Sequence, residues 1–291
     1  MQDVSDRLSE ALAGRLALQM SVSSLEVIEE WMDMPLTRWL DSIPLPMEMP
    51  DASSPAVLVV LGSDARRVRW SAGGPPEGII PKMVDYLRRA GAHPGDFNRI
   101  DQAGQALEPH GVGSWIEVRP GAVDTGWYFE DRLPVARLRE LLGEGAWMEE
   151  AGTMCAGVLR GIGADPVTEV TFEVDGPDPA ARVAAAAATA ARLGCPLDEA
   201  AAGGLGGELS LVVRARGGAV EAVRLAGARP GGQAAAALCG ALGLELAPSI
   251  DSVARAIAAG EPTHVEIERG AGGAVVLVSY LAGSAGAAHV N

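Results

Sequence analysis

Lysine is nearly missing from this chain. Lys82 is the sole example, so almost all of its 23 positive charges are arginine. They face 38 Asp and Glu, giving a formal net charge of −15. Such a chain lacks the basic face that a nucleic-acid backbone requires, so no nucleic-acid partner is expected. It also has nothing to draw it to an anionic membrane surface. Aromatic residues are scarce as well: three Phe, three Tyr and six Trp, so the core has to be built from Ala, Val and Leu. There are only three cysteines, Cys155, Cys195 and Cys239. They form no C-x-x-C pair, and an odd, scattered set gives no disulfide framework. They read as small buried core residues.

Long apolar runs are absent too. Val183 to Ala191 is mostly alanine and too short to span a bilayer. The start, Met1 to Gln19, is charged and amphipathic and lacks the apolar stretch of a signal peptide. Cytoplasm is the expected compartment, with no membrane partner. His93, His110 and His289 have no neighbours at ligand spacing, so no metal site is expected from them. Gly203 to Gly207 precedes a strand instead of joining a strand to a helix, which is not the setting of a phosphate loop. Ser210, Ser279 and Ser284 have no G-x-S-x-G context.

What is present is a folded composition, 48% hydrophobic and 21% charged over 291 residues. We read one domain over residues 1–291, with N-terminal helices and a loop in 1–54, strand and helix repeats in 55–281 and a tail in 282–291. Helical spacing covers Val4 to Leu18 and Ser23 to Leu40, before a Pro- and Met-rich loop from Ile43 to Ser54. A strand pair follows from Ala56 to Trp70, then a helix from Ile79 to Ala90. Ser114 to Glu130 is a second strand pair. Val135 to Leu142 and Trp147 to Leu159 read as helices. Thr168 to Val174 alternates as a strand without an evident partner. Pro179 to Leu193 is an Ala-rich helix, and Glu208 to Ala226 is a hairpin turned at Gly217-Gly218. Gln233 to Leu242 and Ile250 to Ala259 are helical, and His264 to Leu281 is the last hairpin. The segment SWIEVRPGAVDTGWYF echoes THVEIERGAGGAVVLVSY, which suggests internal duplication.

Strand parity gives each group one apolar face and one face of mixed Arg and Glu. With a two-residue turn, Arg216 faces Ala219, Arg214 faces Glu221 and Val212 faces Val223. Arg67, Arg69, Glu117, Arg119, Trp115, Glu169, Arg214, Arg216, Glu266 and Glu268 then share the polar face. An open sheet would leave this face in water, with helices on the other side. A closed one would turn it into a central chamber with helices outside. Five strand pairs suit closure, which also removes exposed edges. The fold class is therefore α+β, with repeated antiparallel hairpins and helices packed on one side.

This layout of helices around antiparallel strand pairs, from about Ala56 to Leu281, resembles the ABBA-type or PT-barrel prenyltransferases. In element order it is most similar to the cyanobactin-type peptide prenyltransferases. The stretch IGADPVTEVTFEVDG, Ile162 to Gly176, resembles their central helix-to-strand step. The resemblance implies a closed αββα barrel that transfers an isoprenoid from a diphosphate donor to an aromatic or peptide acceptor. It implies cationic side chains for the diphosphate, for which Arg69, Arg119, Arg214 and Arg216 are the candidates. Magnesium is the implied cofactor. It implies aromatic walls around the allylic cation, here Trp115 and Tyr280, with Trp127 and Tyr128 as further candidates. Glu117 and Glu266 are candidate bases for the acceptor. Two other functions fit the same layout. One is a binding or scaffold protein without catalysis, and the other is an enzyme using the chamber for isomerisation or cyclisation.

Overall fold

The computed structural model describes residues 53–61, 67–106, 109–119, 122–143, 145–205, 208–228, 232–244 and 264–281. The expected helices Val4 to Leu18, Ser23 to Leu40 and Ile250 to Ala259, and the tail from Ala282, lie outside the described residues.

Ten described strands carry the fold: β1 (Ser53–Leu61), β2 (Val68–Gly74), β3 (Gly111–Arg119), β4 (Ala122–Pro134), β5 (Met154–Gly161), β6 (Val167–Glu173), β7 (Leu209–Arg216), β8 (Ala219–Ala228), β9 (His264–Gly270) and β10 (Gly273–Leu281). Every neighbouring pair is antiparallel, in the order β1-β10-β9-β8-β7-β6-β5-β4-β3-β2. Because β1 pairs with both β2 and β10, the ladder runs all the way round as a closed barrel. Seven described helices accompany it: α1 (Pro76–Arg89), α2 (Pro94–Ala106), α3 (Val135–Leu142), α4 (Trp147–Ala151), α5 (Pro179–Arg192), α6 (Glu199–Ala202) and α7 (Gly232–Ala241).

The hydrophobic core is a sleeve between the barrel wall and these helices. Val112, Ile116, Trp127, Phe129, Val170, Phe172, Val213, Val223, Leu225, Ile267 and Val276 supply its strand side. Helix α1 lays Ile79, Met83, Tyr86 and Leu87 on one buried face, a spacing of four, three and one that marks an amphipathic helix. Helix α3 does the same with Val135, Leu138 and Leu142, and stops at Gly143, whose φ of 66° suits a left-handed cap. Helix α5 starts under an Asp178 side chain that accepts the Ala181 N–H. It buries Val183, Ala186, Ala187 and Ala190, small residues that let its backbone approach the sheet closely.

Three expectations need correction. Trp147 to Leu159 is not one helix: α4 ends at Ala151, and Met154–Gly161 is strand β5. Gly152, in extended conformation, breaks the chain between them. This strand is the missing partner of β6. Met and Ala favour helices locally, but burial between two strands decides the outcome. Helix α2 has a weak apolar pattern and was not expected at all. In the β7–β8 hairpin, Gly217 and Gly218 take φ of 55° and 80°, as a two-residue turn requires, and Arg216 does face Ala219. One residue later the register slips: Ala215 pairs with Val220, and Arg214 pairs with Ala222 instead of Glu221. Glu221 is the extra residue of a bulge. Val212 accordingly faces Arg224, not Val223.

Candidate functional site

The polar strand faces meet inside the barrel. Among the described residues, six arginines and six carboxylates form one connected set of ion pairs: Arg67, Arg69, Arg119, Arg214, Arg216 and Arg224 with Glu117, Asp124, Glu169, Glu221, Glu266 and Glu268. Its formal charge is zero. At its centre Arg69 donates to Glu117 Oε2 (3.0 and 2.6 Å) and to both oxygens of Glu169 (2.8 and 2.5 Å). Arg214 donates to the same two carboxylates, at 2.9 and 3.1 Å to Glu117 and 2.9 Å to Glu169. Arg224 Nη2 donates to Glu169 Oε2 at 3.0 Å, and its Nε lies 2.8 Å from Glu266 Oε2. Arg67 grips Glu268 through both of its oxygens, at 3.0 and 2.9 Å.

These charges are out of the solvent. Glu117 is 0% exposed, Glu169 3%, Arg214 4% and Arg69 6%. A solvated polar face, the alternative open to an unclosed sheet, is not what the structure has. Burial by itself would push the Glu117 carboxyl up, but Arg69, Arg214 and Arg67 overcome it and hold the group well below the ordinary carboxylate range. Burial would raise Glu169 too, and Arg69, Arg224 and Arg214 hold it down. The same pairs overcome burial to keep Arg69 and Arg214 firmly protonated.

The network occupies the half of the lumen nearest the hairpin turns. Arg119 and Asp124 flank the β3–β4 connection, Arg216 and Glu221 the β7–β8 turn, and Glu268 the β9–β10 turn. The other half, where the strands connect to helices, carries Ser71, Gly73, Gly113, Gly157, Thr171, Ser210 and Ala226 on the inward parity. Ser71, Tyr128, Thr171 and Ser210 are half-buried there. Tyr128 folds its ring against Gly73, where a Cβ would lie 2.1 Å from the phenol oxygen. Burial, helped by Glu130, pushes its hydroxyl above the usual tyrosine range.

Trp115 lies between the two halves, fully buried. Its indole N–H donates to the carbonyls of Trp127 (3.2 Å) and Arg160 (3.3 Å). The ring sits under the Arg69 guanidinium, 5.2 Å from its carbon. Behind it, Tyr86 Oη and Thr125 Oγ1 lie 2.7 Å apart, and Thr125 donates to the Trp115 carbonyl at 2.6 Å. Gly126 faces Trp115 across the ladder, and any Cβ there would lie 1.9 Å from the Arg160 carbonyl oxygen.

Of the residues expected at the site, Arg69, Arg214, Glu117, Glu266 and Trp115 come together in the lumen. Arg119 and Arg216 share Asp124 Oδ2, at 2.6 and 3.0 Å, nearer the hairpin turns. The Tyr280 side chain lies outside the described residues. Its backbone pairs with Val57, in the register row of Trp70 and Ile116 and not of Arg69 and Glu117. Trp127 belongs to the outer core, stacked obliquely on Phe129 at 5.0 Å. Arg224, Asp124 and Glu221 were not expected as site residues. Strict alternation puts Arg224 among Val220 and Ala222 on the apolar face. An arginine in that company was the signal for the bulge that turns it inward.

The described cysteines are Cys155, Cys195 and Cys239. All three are free and buried, and burial pushes the Cys155 thiol up to about 11. Among the described residues no three His, Cys, Asp or Glu side chains gather as a metal site. The lumen carboxylates are turned to arginines, so they do not fit a resident magnesium ion. No described helix is long and apolar enough to cross a membrane.

No family model matches the chain. A PH domain-containing protein of Dictyostelium discoideum is 30% identical over 151 residues, which is 48% of this chain, and the chain spans about a third (33%) of that protein. Solved structures are similar over nearly the full length. A PriB prenyltransferase ternary complex with L-tryptophan and dimethylallyl thiolodiphosphate has a TM-score of 0.59 at 14% identity, covering 96% of both chains. The 5-dimethylallyl tryptophan synthase of Streptomyces coelicolor, in complex with DMASPP and tryptophan, has a TM-score of 0.57 at 14% identity, over 95% of this chain and 92% of its own. The 6-dimethylallyltryptophan synthase of Micromonospora olivasterospora has 0.58 at 16%, over 89% and 95%. The chain has the fold of the ABBA-type prenyltransferases.

Proposed function

We propose that this chain, built on the prenyltransferase barrel, transfers an isoprenoid from a diphosphate donor to an aromatic small-molecule or peptide acceptor in its lumen. The observation that carries the reading is the convergence of Arg69, Arg214 and Arg224 on the barrel midline beside Trp115. In this reading Arg69 and Arg214 receive the leaving diphosphate, with Arg119 and Arg216 behind them, and Arg224 faces the acceptor. Trp115 and Tyr128 wall the allylic cation. Glu266 is the better base. Glu117 is clamped by three arginines with its carboxyl held far down, which makes it a weak proton acceptor near neutral pH.

The neutral network adds a condition. A diphosphate brings two or three negative charges into a lumen with no cationic excess. It therefore enters with magnesium as its counter-ion, carried as part of the donor. The proposal puts this chemistry in the cytoplasm and in secondary metabolism.

One observation favours a second reading. Each lumen arginine already holds a carboxylate, as expected of a binding protein that keeps the barrel and has no diphosphate site. Isomerisation or cyclisation has no comparable support, because converging arginines suit an anion.

Thermal melting with dimethylallyl and geranyl thiolodiphosphate, with and without magnesium, separates the two. A donor at a hundred times its dissociation constant stabilises the protein by about 2.7 kcal/mol. The prenyltransferase reading expects that shift with magnesium and a smaller one without. No shift at millimolar donor selects the binding protein.

A further inference from the structure

Among the described residues, Arg224 is the one arginine at the lumen midline with a donor left over. It is 7% exposed, so more than nine-tenths buried. Nη2 is used by Glu169, and Nε is beside Glu266. Nη1 is buried with no hydrogen-bond partner. The strand neighbours on its face, Ala222 and Ala226, have no acceptor side chain, and neither does Val212 across the ladder. Glu268, on its other side, is taken by Arg67. A buried guanidinium N–H without an acceptor is costly, so this donor is suited to an oxygen that arrives with a ligand. On the side toward the helix connections its neighbours are short, Ala226 and its partner Ser210.

Charge decides which oxygen. Arg224 already stands between two carboxylates, Glu169 and Glu266, and the network as a whole is neutral. A third carboxylate at Nη1 would face both of them across a poorly screened interior. A carbonyl oxygen accepts the same hydrogen bond without that repulsion. We propose that Arg224 Nη1 receives the amide carbonyl of a neutral, peptide-like acceptor, making Arg224 the residue that selects amides over free carboxylic acids. The inference rests on the reading that the acceptor occupies the lumen, but not on the donor.

The test is isothermal titration of the full chain, without donor, with indole-3-propanamide and with indole-3-propanoic acid, which differ only in amide against carboxylate. The amide is expected to bind at least ten-fold more tightly than the acid. Arg224→Lys, which keeps the charge and loses Nη1, is expected to lose about ten-fold for the amide and little for the acid. The double variant Arg224→Gln/Glu266→Gln, which keeps the network neutral, is expected to do the same, so a folding defect in one variant is recognised by the other. Equal or tighter binding of the acid, no binding of either probe, or amide affinity unchanged in both variants overturns the proposal. Amide binding together with a failed donor titration sinks the prenyl-transfer reading and leaves this one standing.

Discussion

The two halves of the lumen share strands, parity and closure, yet they are filled in opposite ways. Toward the hairpin turns, long charged side chains meet in the centre and hold one another, with Glu117 and Glu169 each shared by two or more arginines. Toward the helix connections the inward parity carries the short residues Ser71, Gly73, Gly113, Gly157, Thr171, Ser210 and Ala226, with Tyr128 and its ladder partner Leu159 as larger described neighbours. The first half is fixed by pairing, and the proposed function places the ligand in the second.

The sharpest way to break this contrast is to unpair the hairpin half. Arg214→Ala leaves Glu117 and Glu169 short of a guanidinium in the interior, and it should cost about 3–5 kcal/mol in urea unfolding. A loss below about 1 kcal/mol would mean that water already enters the network. Because Arg214 is a structural partner, its removal is not a clean test of donor binding with the fold intact.

Acid should act on the same half. The folded Glu117 and Glu169 carboxyls titrate below their unfolded value of 4.5, so their contribution is complete above that pH. It is lost as pH falls below 4.5 toward their folded values. Melting curves from pH 7 to pH 3 should show the melting temperature falling in that window, and Glu117→Gln should flatten the fall. An unchanged melting temperature down to pH 3 would contradict the assigned pairs.

A smaller effect is expected where glycine makes room between the halves. Gly126→Ala forces a Cβ onto the Arg160 carbonyl beside Trp115 and should cost at least about 1–3 kcal/mol. The same change at Gly78, where nothing lies within 4 Å, should stabilise helix α1 by about 0.5–1 kcal/mol. Chemical denaturation of both variants checks the difference in sign. Least of all should come from the outside. Arg132 and Glu173 pair with the Arg132 side chain 69% exposed, and Arg132→Ala should leave the denaturation midpoint almost where it was. A larger change in the same denaturation assay would place that pair in the interior account.

Much of this was legible in the residues. Alternation in TEVTFEV puts Val170 and Phe172 opposite Glu169, and the structure keeps that division. Helix α3 is read with its bounds at Val135 and Leu142 because its apolar spacing and its glycine stop agree. Strand β5 was hidden because MCAGVLRG has no alternation of polar and apolar residues and follows a true helical turn. Arg224 was hidden by a bulge, a single extra residue that reverses every later side chain on its strand. Closure of the ring depends on β1 meeting β2 and β10, a pairing across the whole chain that no local pattern contains. The mutual neutrality of the lumen follows only once those faces are brought together.

The central claim is that this neutrality limits anion binding, and one titration tests it most directly. Dimethylallyl thiolodiphosphate with magnesium would be titrated into the unaltered chain and into Glu266→Gln, which removes one negative charge beside Arg224. The account predicts binding about ten-fold tighter in the variant, a gain of about 1.4 kcal/mol. Equal or weaker binding in Glu266→Gln would contradict it.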